Sequence, residues 1–145
     1  MSDPDAPPPG CPAMRITAMP ADANPYGDIF GGWLMSQMDL AAALVASRHS
    51  KGRAVTIAVD GMQFHRPVLI GDELSVFAKL VKVGNTSLTV DVEAWRRARH
   101  GDETQKVTQA KFVFVAIDEV RRPRKVPAMP ESGLEATSDP IPDGA

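Results

Sequence analysis

Trp33-Leu34-Met35-Ser36-Gln37-Met38-Asp39-Leu40-Ala41-Ala42-Ala43-Leu44-Val45-Ala46 contains neither proline nor glycine and is rich in strong helix formers. It predicts a helix from Trp33 to about Arg48. Apolar residues sit almost all the way round that helix, so it is expected to be covered on nearly every side. It is too short to span a membrane. Upstream, Pro20, Asp22, Asn24, Pro25, Gly27 and Asp28 punctuate a loop that runs to Gly32, and a short extended segment covers about Arg15 to Met19. Downstream the period changes from helical to two. Val55, Ile57 and Val59 alternate with Thr56, Ala58 and Asp60. Leu74, Val76, Ala78 and Leu80 alternate with Ser75, Phe77, Lys79 and Val81, and Leu88, Val90, Val92 and Ala94 with Thr89, Asp91, Glu93 and Trp95. A last run, Val107 to Ile117, is apolar on both faces near its end. Gly84-Asn85 marks a tight hairpin and Arg99 to Asp102 a longer turn. A strand, a long buried helix and then four strands in antiparallel sequence make an α+β fold, with the sheet wrapped on the helix.

The chain of 145 residues fits one domain, and 43% apolar residues allow a substantial core. Residues 1–12 are acidic and proline-rich, and residues 127–145 mix proline, glycine, serine and acids. Both are expected to be disordered tails around a folded unit of 13–126. A net charge of -2 gives no general reason to expect nucleic acid as a partner. Local basic clusters occur at Arg96, Arg97 and Arg99 and at Arg121, Arg122, Arg124 and Lys125; such clusters are usually solvated faces and occasionally phosphate sites. The lone Cys11 precludes an internal disulfide and fits a reducing compartment. No apolar run approaches about 18 residues, and the N-terminus lacks the basic and apolar regions of a signal peptide. The expectation is a soluble cytoplasmic protein without a membrane partner.

The chemistry centres on Asp39. A carboxylate amid Met35, Met38, Leu40, Ala42 and Ala43 is either on a narrow exposed stripe or buried for a purpose, since desolvating it is costly without a partner. Gly31 and Gly32 precede the helix, where unsatisfied backbone N–H groups can be approached closely and the dipole suits a carbonyl oxygen gaining negative charge. They also read simply as a helix-start loop. From Gly32 to Asp39 is two turns, roughly 10 Å, too far for both to grip one carbonyl within a single chain. The two ends can meet if a site is shared between subunits. The Asn24 amide can orient water or hold a carbonyl, or serve only as a turn residue before Pro25. His49, His65 and His100 are scattered without metal spacing, Ser36 has no basic partner nearby, and no nucleophile elbow or phosphate-binding loop occurs.

The stretch from Met19 through Asn24-Pro25-Tyr26-Gly27-Asp28-Ile29-Phe30-Gly31-Gly32-Trp33 to Asp39 closely resembles the bacterial YciA-type acyl-CoA thioesterases. The likeness continues through Lys51-Gly52-Arg53, the strand Val55 to Phe64, Pro67-Val68 with Gly71-Asp72, Lys82-Val83-Gly84 and Phe112 to Asp118. It covers about residues 14–127. The resemblance implies a hotdog fold, in which a long central helix is wrapped by an antiparallel sheet. It also implies homodimers that share one continuous sheet and assemble into hexamers as trimers of dimers. The implied reaction is hydrolysis of acyl-CoA to a free acid and CoA, without metal or other cofactor. On the matching positions Asp39 is the catalytic carboxylate, Asn24 its partner from the facing subunit, and Gly31 and Gly32 lie in the segment that polarises the thioester carbonyl. Arg53 and Arg124, with Gly84 and Ser87, are the candidates for binding CoA. The chain departs from the pattern at Tyr26, often a smaller residue and here a candidate for shortening the acyl tunnel, and at Asn85, often an arginine.

Two other functions compete. A hotdog hydratase or dehydratase relies on a nearby Asp–His pair, and no histidine follows Asp39 at local spacing. A non-catalytic acyl-CoA binding or sensing module has no need of a carboxylate facing a thioester. For the hydrolase, Asp39 serves either as general base on water or as nucleophile.

Overall fold

The alternating runs pair into one five-stranded sheet in the computed structural model, which describes residues 5–129. Residues 1–4 and 130–145 of the two expected tails lie outside it. In chain order the elements are β1 (Met14–Thr17), a 3₁₀ turn (Pro20–Asp22), α1 (Gly31–Ser50), β2 (Ala54–Asp60), β3 (Glu73–Val83), β4 (Ser87–Arg97) and β5 (Thr104–Ala116). The sheet order is β1-β3-β4-β5-β2 and every neighbouring pair is antiparallel. The connection from β1 to β2 therefore joins the two edges of the sheet, and α1 makes that crossing. Its 20 residues span roughly 30 Å, enough to traverse four strand spacings of about 4.8 Å. Sequence order thus forces the helix across the sheet, the hotdog arrangement.

Inward residues of each strand meet the helix. Leu74, Val76 and Leu80 of β3, Leu88, Val90, Val92 and Ala94 of β4, and Phe112 and Phe114 of β5 are buried against Leu34, Met38, Ala41, Ala42 and Ala46 of α1. Small residues on the helix let the backbones approach while the strands supply the bulk. Register shifts between Thr56 and Ala58, Leu80 and Lys82, and Ala94 and Trp95 bend the ladder, as bulges do, and curl the sheet around α1. The strand expected to run from Val55 to Phe64 pairs only to Asp60, because Gly61 takes φ +75° and turns the chain.

The helix starts two residues earlier than its sequence suggests. Gly31 and Gly32 form its first turn, with Phe30 as an N-cap that offers no side-chain acceptor. It ends at Ser50, where Lys51 adopts the left-handed conformation and donates its N–H to Ser47 O at 2.8 Å. The cover on α1 is one-sided in the single chain. A sheet shields one face of a helix only, so Met35, Leu40 and Leu44 stay 37%, 57% and 60% exposed. No helix among the described residues is long and apolar enough to cross a membrane.

The first basic cluster is not a solvated face. Arg96 is inward and donates through Nε to Asp72 Oδ2 at 2.6 Å and through Nη1 to Gln105 Oε1 at 2.7 Å. Asp72 also accepts from Leu69 N, so the pair pins the 69–72 turn to β4. Arg97 pairs with Glu73 at 3.2 Å, and only Arg99 stays exposed. Both pairings follow from the register, which sets the start of β3 opposite the end of β4.

Candidate active site

Asp39 projects from the middle of α1 toward β2. Thr56 Oγ1 donates to its Oδ1 at 2.5 Å, and Oδ2 has no partner among the described residues. The contact exists because Thr56 pairs with Phe114, whose side chain is buried in the core under the helix. Thr56 therefore lies on the helix side of β2, within reach of Asp39, while staying exposed at the edge of the sheet. The register shift just after Thr56 leaves Ile57 unpaired and 59% exposed. β2 is an edge strand, so its outer N–H and C=O groups are open to another strand. The Asp39–Thr56 pair therefore lies at the boundary where a second sheet edge can dock. Nothing local in the sequence marks Thr56, which reads as one polar position in an alternating strand.

Gly31, Gly32 and Trp33 have N–H groups with no acceptor among the described residues, since Phe30 cannot cap them and intrahelical bonding starts at Leu34 N. Three donors at the positive end of a 20-residue helix are of a kind that can accept an anion or a carbonyl oxygen gaining negative charge. A Cβ on Gly32 would have nothing within 4 Å, whereas one on Gly31 would meet the Phe64 ring at 3.4 Å. The Gly32 side is the open approach.

Asn24 stands at the same end of the molecule. Phe30 N donates to Asp22 O at 3.0 Å and Asn24 N to Asp28 O at 2.6 Å, so the loop before the helix is closed on itself. The Asn24 Oδ1 accepts from Tyr26 N at 2.8 Å and Asp28 N at 3.1 Å. Two backbone donors fix which end of the amide is oxygen and turn Nδ2 away, without a partner among the described residues. Asn24 is thus both turn residue and available donor. It can hold a carbonyl oxygen or a water but cannot accept a proton.

Arg53, Gly84, Ser87 and Arg124 gather at the opposite corner, by the C-terminus of α1. Ile117 N donates to Arg53 O, Ala116 N to Thr86 O and Val126 N to Asn85 O, which brings the β3–β4 hairpin beside Arg53 and Arg124. Gly84 N donates to Ser87 O at 2.8 Å to close that hairpin. Arg124 donates to Ile117 O, Ser50 O, Ser50 Oγ and Arg53 O, leaving one N–H of its five. It lies against Gly52, where an added Cβ would come within 2.6 Å of Nη2. Its main contribution is to cap the helix C-terminus and fix the corner. Arg53, Arg121, Arg122 and Lys125 are exposed around it. The candidates therefore fall into two groups at the two ends of α1, with Asp39 between them. Asp39 lies about 10 Å from Gly32 and about 16 Å from Ser50 along the axis.

The other polar residues are accounted for. Ser36 Oγ donates to Trp33 O at 2.7 Å, His49 Nε2 meets Pro127 O at 2.8 Å, and His65 and His100 are exposed. Among the described residues no group of three His, Cys, Asp or Glu is arranged to hold a metal ion.

The family model described as the thioesterase superfamily matches residues 26–101. An uncharacterised acyl-CoA thioester hydrolase of Zymomonas mobilis is 57% identical over 127 residues, covering 88% of this chain and 85% of that protein. The acyl-CoA thioester hydrolase YciA of Salmonella typhimurium is 44% identical over 130 residues, with 88% and 98% covered. The crystal structure of a hexameric thioesterase from Yersinia pestis superposes with a TM-score of 0.79 at 45% identity, covering 83% of this chain and 98% of that one.

Proposed function

The chain belongs to the thioesterase superfamily, among the YciA-type acyl-CoA thioester hydrolases, and we propose that it cleaves acyl-CoA with Asp39 in a site shared by two subunits. The observation that carries this reading is the Asp39–Thr56 pair at the open β2 edge, the one carboxylate of an otherwise apolar helix face. Two copies docked through β2 continue the sheet and cover Leu40, Leu44 and Ile57. Such docking carries the amides of Gly31 and Gly32 and the Asn24 Nδ2 of one copy toward Asp39 of the other, which removes the distance conflict within one chain. The hexameric relative supports a homo-oligomer, and we read the assembly as a trimer of such dimers.

In the general-base route Asp39 takes a proton from water while the water oxygen bonds to the thioester carbon. The carbonyl oxygen gains negative charge against the helix amides. The C–S bond then breaks as the proton held by Asp39 passes to the CoA sulfur, which restores the carboxylate, and the acid leaves. In the nucleophilic route a carboxylate oxygen of Asp39 bonds to the carbonyl carbon, CoA thiolate leaves, and water hydrolyses the resulting anhydride. Both routes use Thr56 to hold the carboxylate with Oδ2 turned out. Neither needs a cofactor, and CoA is part of the substrate. The exposed basic corner suits CoA phosphates, with Arg53 as the free fork, Gly84 and Ser87 shaping the hairpin, and Arg124 chiefly positioning them. We assign the reaction to the cytoplasm, where Cys11 is kept as a thiol.

The test is thiol release from a panel of acyl-CoAs by wild type and Asp39→Asn. The variant should lose activity by about 10²–10⁴-fold with its oligomer intact. Equal rates would remove Asp39 from the mechanism. Binding without release in wild type would leave a sensing module.

A further inference from the structure

Beside the first turns of α1 lies a groove of about 440 Å³, lined by Met35, Val59, Gly61, Met62, Gln63 and Phe64. Its size falls in the range of small-molecule sites, roughly 300–1,000 Å³. The groove is continuous with the proposed reaction site. Met35 stands one helical turn before Asp39, on the same side of the helix. The Phe64 ring lies 3.4 Å from where a Cβ on Gly31 would be, so it borders the first free amide of the helix.

Phe64 is unusual in being fixed yet unpacked. Thr108 Oγ1 donates to Gln63 O at 2.6 Å and His65 N donates to Val107 O at 2.8 Å, which clamps the backbone on both sides of it. Its side chain is nevertheless 48% exposed, and Met35 beside it 37%.

We infer that Phe64 sets how bulky an acyl group the enzyme accepts. With the thioester carbonyl on the amides of Gly31 and Gly32, the first acyl carbons pass the Phe64 ring and the rest of the group enters the groove beside Met35 and Met62. This inference rests on the hydrolase reading and adds its specificity residue. An apolar acyl group is the occupant that fits, because two thioethers, a phenyl ring and Val59 supply most of the side-chain lining, which carries no charge and has Gln63 as its one polar side chain. Methionines repack readily, so Met35 and Met62 accommodate varied chains, whereas the anchored backbone on both sides of Phe64 keeps its ring beside the helix N-terminus. Tyr26, the sequence-based candidate for this role, is 89% exposed at the tip of its loop and does not line the groove.

The experiment compares kcat/KM for phenylacetyl-CoA with that for butyryl-CoA in wild type, Phe64→Ala and Phe64→Trp. One methylene of misfit in an apolar pocket is worth roughly tenfold or more, so Phe64→Ala should raise the ratio about tenfold and Phe64→Trp should lower it. A ratio that is unmoved in both variants, or moves the same way in both, overturns the inference while leaving the hydrolase standing. Absence of thiol release by wild type from every acyl-CoA overturns both.

Discussion

At Gly32 the fold and the proposed chemistry make opposite demands on one hydrogen atom. The position is inside the first helical turn, its φ is ordinary, and an added Cβ meets nothing within 4 Å. Alanine should therefore be tolerated and should stabilise the helix by up to about 1 kcal/mol, because glycine has more conformational freedom to lose. The same methyl group would stand on the open approach to the amides. Gly32→Ala is expected to melt no lower than wild type and to lose about tenfold or more in kcat/KM. A variant as active as wild type would mean that no substrate atom approaches that backbone. Asp39 could be picked out in the sequence because a carboxylate in an apolar helical run stands out against its neighbours. Its partner could not. Thr56 lies 17 residues away on a strand whose facing depends on pairing with Phe114, and that pairing is a long-range fact. Asn24 was legible as a turn residue, and its two accepted hydrogen bonds show how the turn orients the amide that the proposed site would use.

The strands were readable as elements because period two survives in each of them, and the hairpin at Gly84 closes where glycine and asparagine interrupt the pattern. Element ends were less legible. A glycine pair argues against helix by propensity, yet Gly31 and Gly32 are helical because packing of Leu34 and Met38 on the sheet sets the helix axis and carries the first turn with it. Arg96 could not be told from Arg97 and Arg99, since only the β3–β4 register brings it to Asp72. The C-terminal end of α1 offers a test at this scale. Lys51 holds φ 61° and ψ 39°, a left-handed cap that costs a non-glycine residue about 1 kcal/mol. Lys51→Gly should relieve that strain and raise the denaturation midpoint, with acyl-CoA hydrolysis retained. A lowered midpoint in a urea titration would show that the lysine side chain contributes more than its backbone costs.

An apolar helix shielded on one side only, an unpaired β2 edge and a carboxylate at their junction are three features of one chain that a second chain can complete. The sequence carried this partly: helical residues apolar all round call for more cover than a single sheet can give, and two turns between Gly32 and Asp39 prevent one chain from presenting both to one carbonyl. A shared site has a consequence that a site within one chain lacks. Asp39→Asn homodimers have no carboxylate in either site, and Asn24→Ala homodimers have no amide donor in either. If each site draws Asp39 from one subunit and Asn24 from the other, a mixed dimer holds one site with both defects and one with neither. Random assembly of equal amounts makes half the dimers mixed, so co-expressed variants should recover roughly a quarter of wild-type activity. If both residues of a site came from the same chain, every site in the mixture would carry a defect and activity would not rise above that of the separate variants. The measurement is thiol release from the co-expressed sample, with mass spectrometry of the intact oligomer to establish that the two chains have mixed.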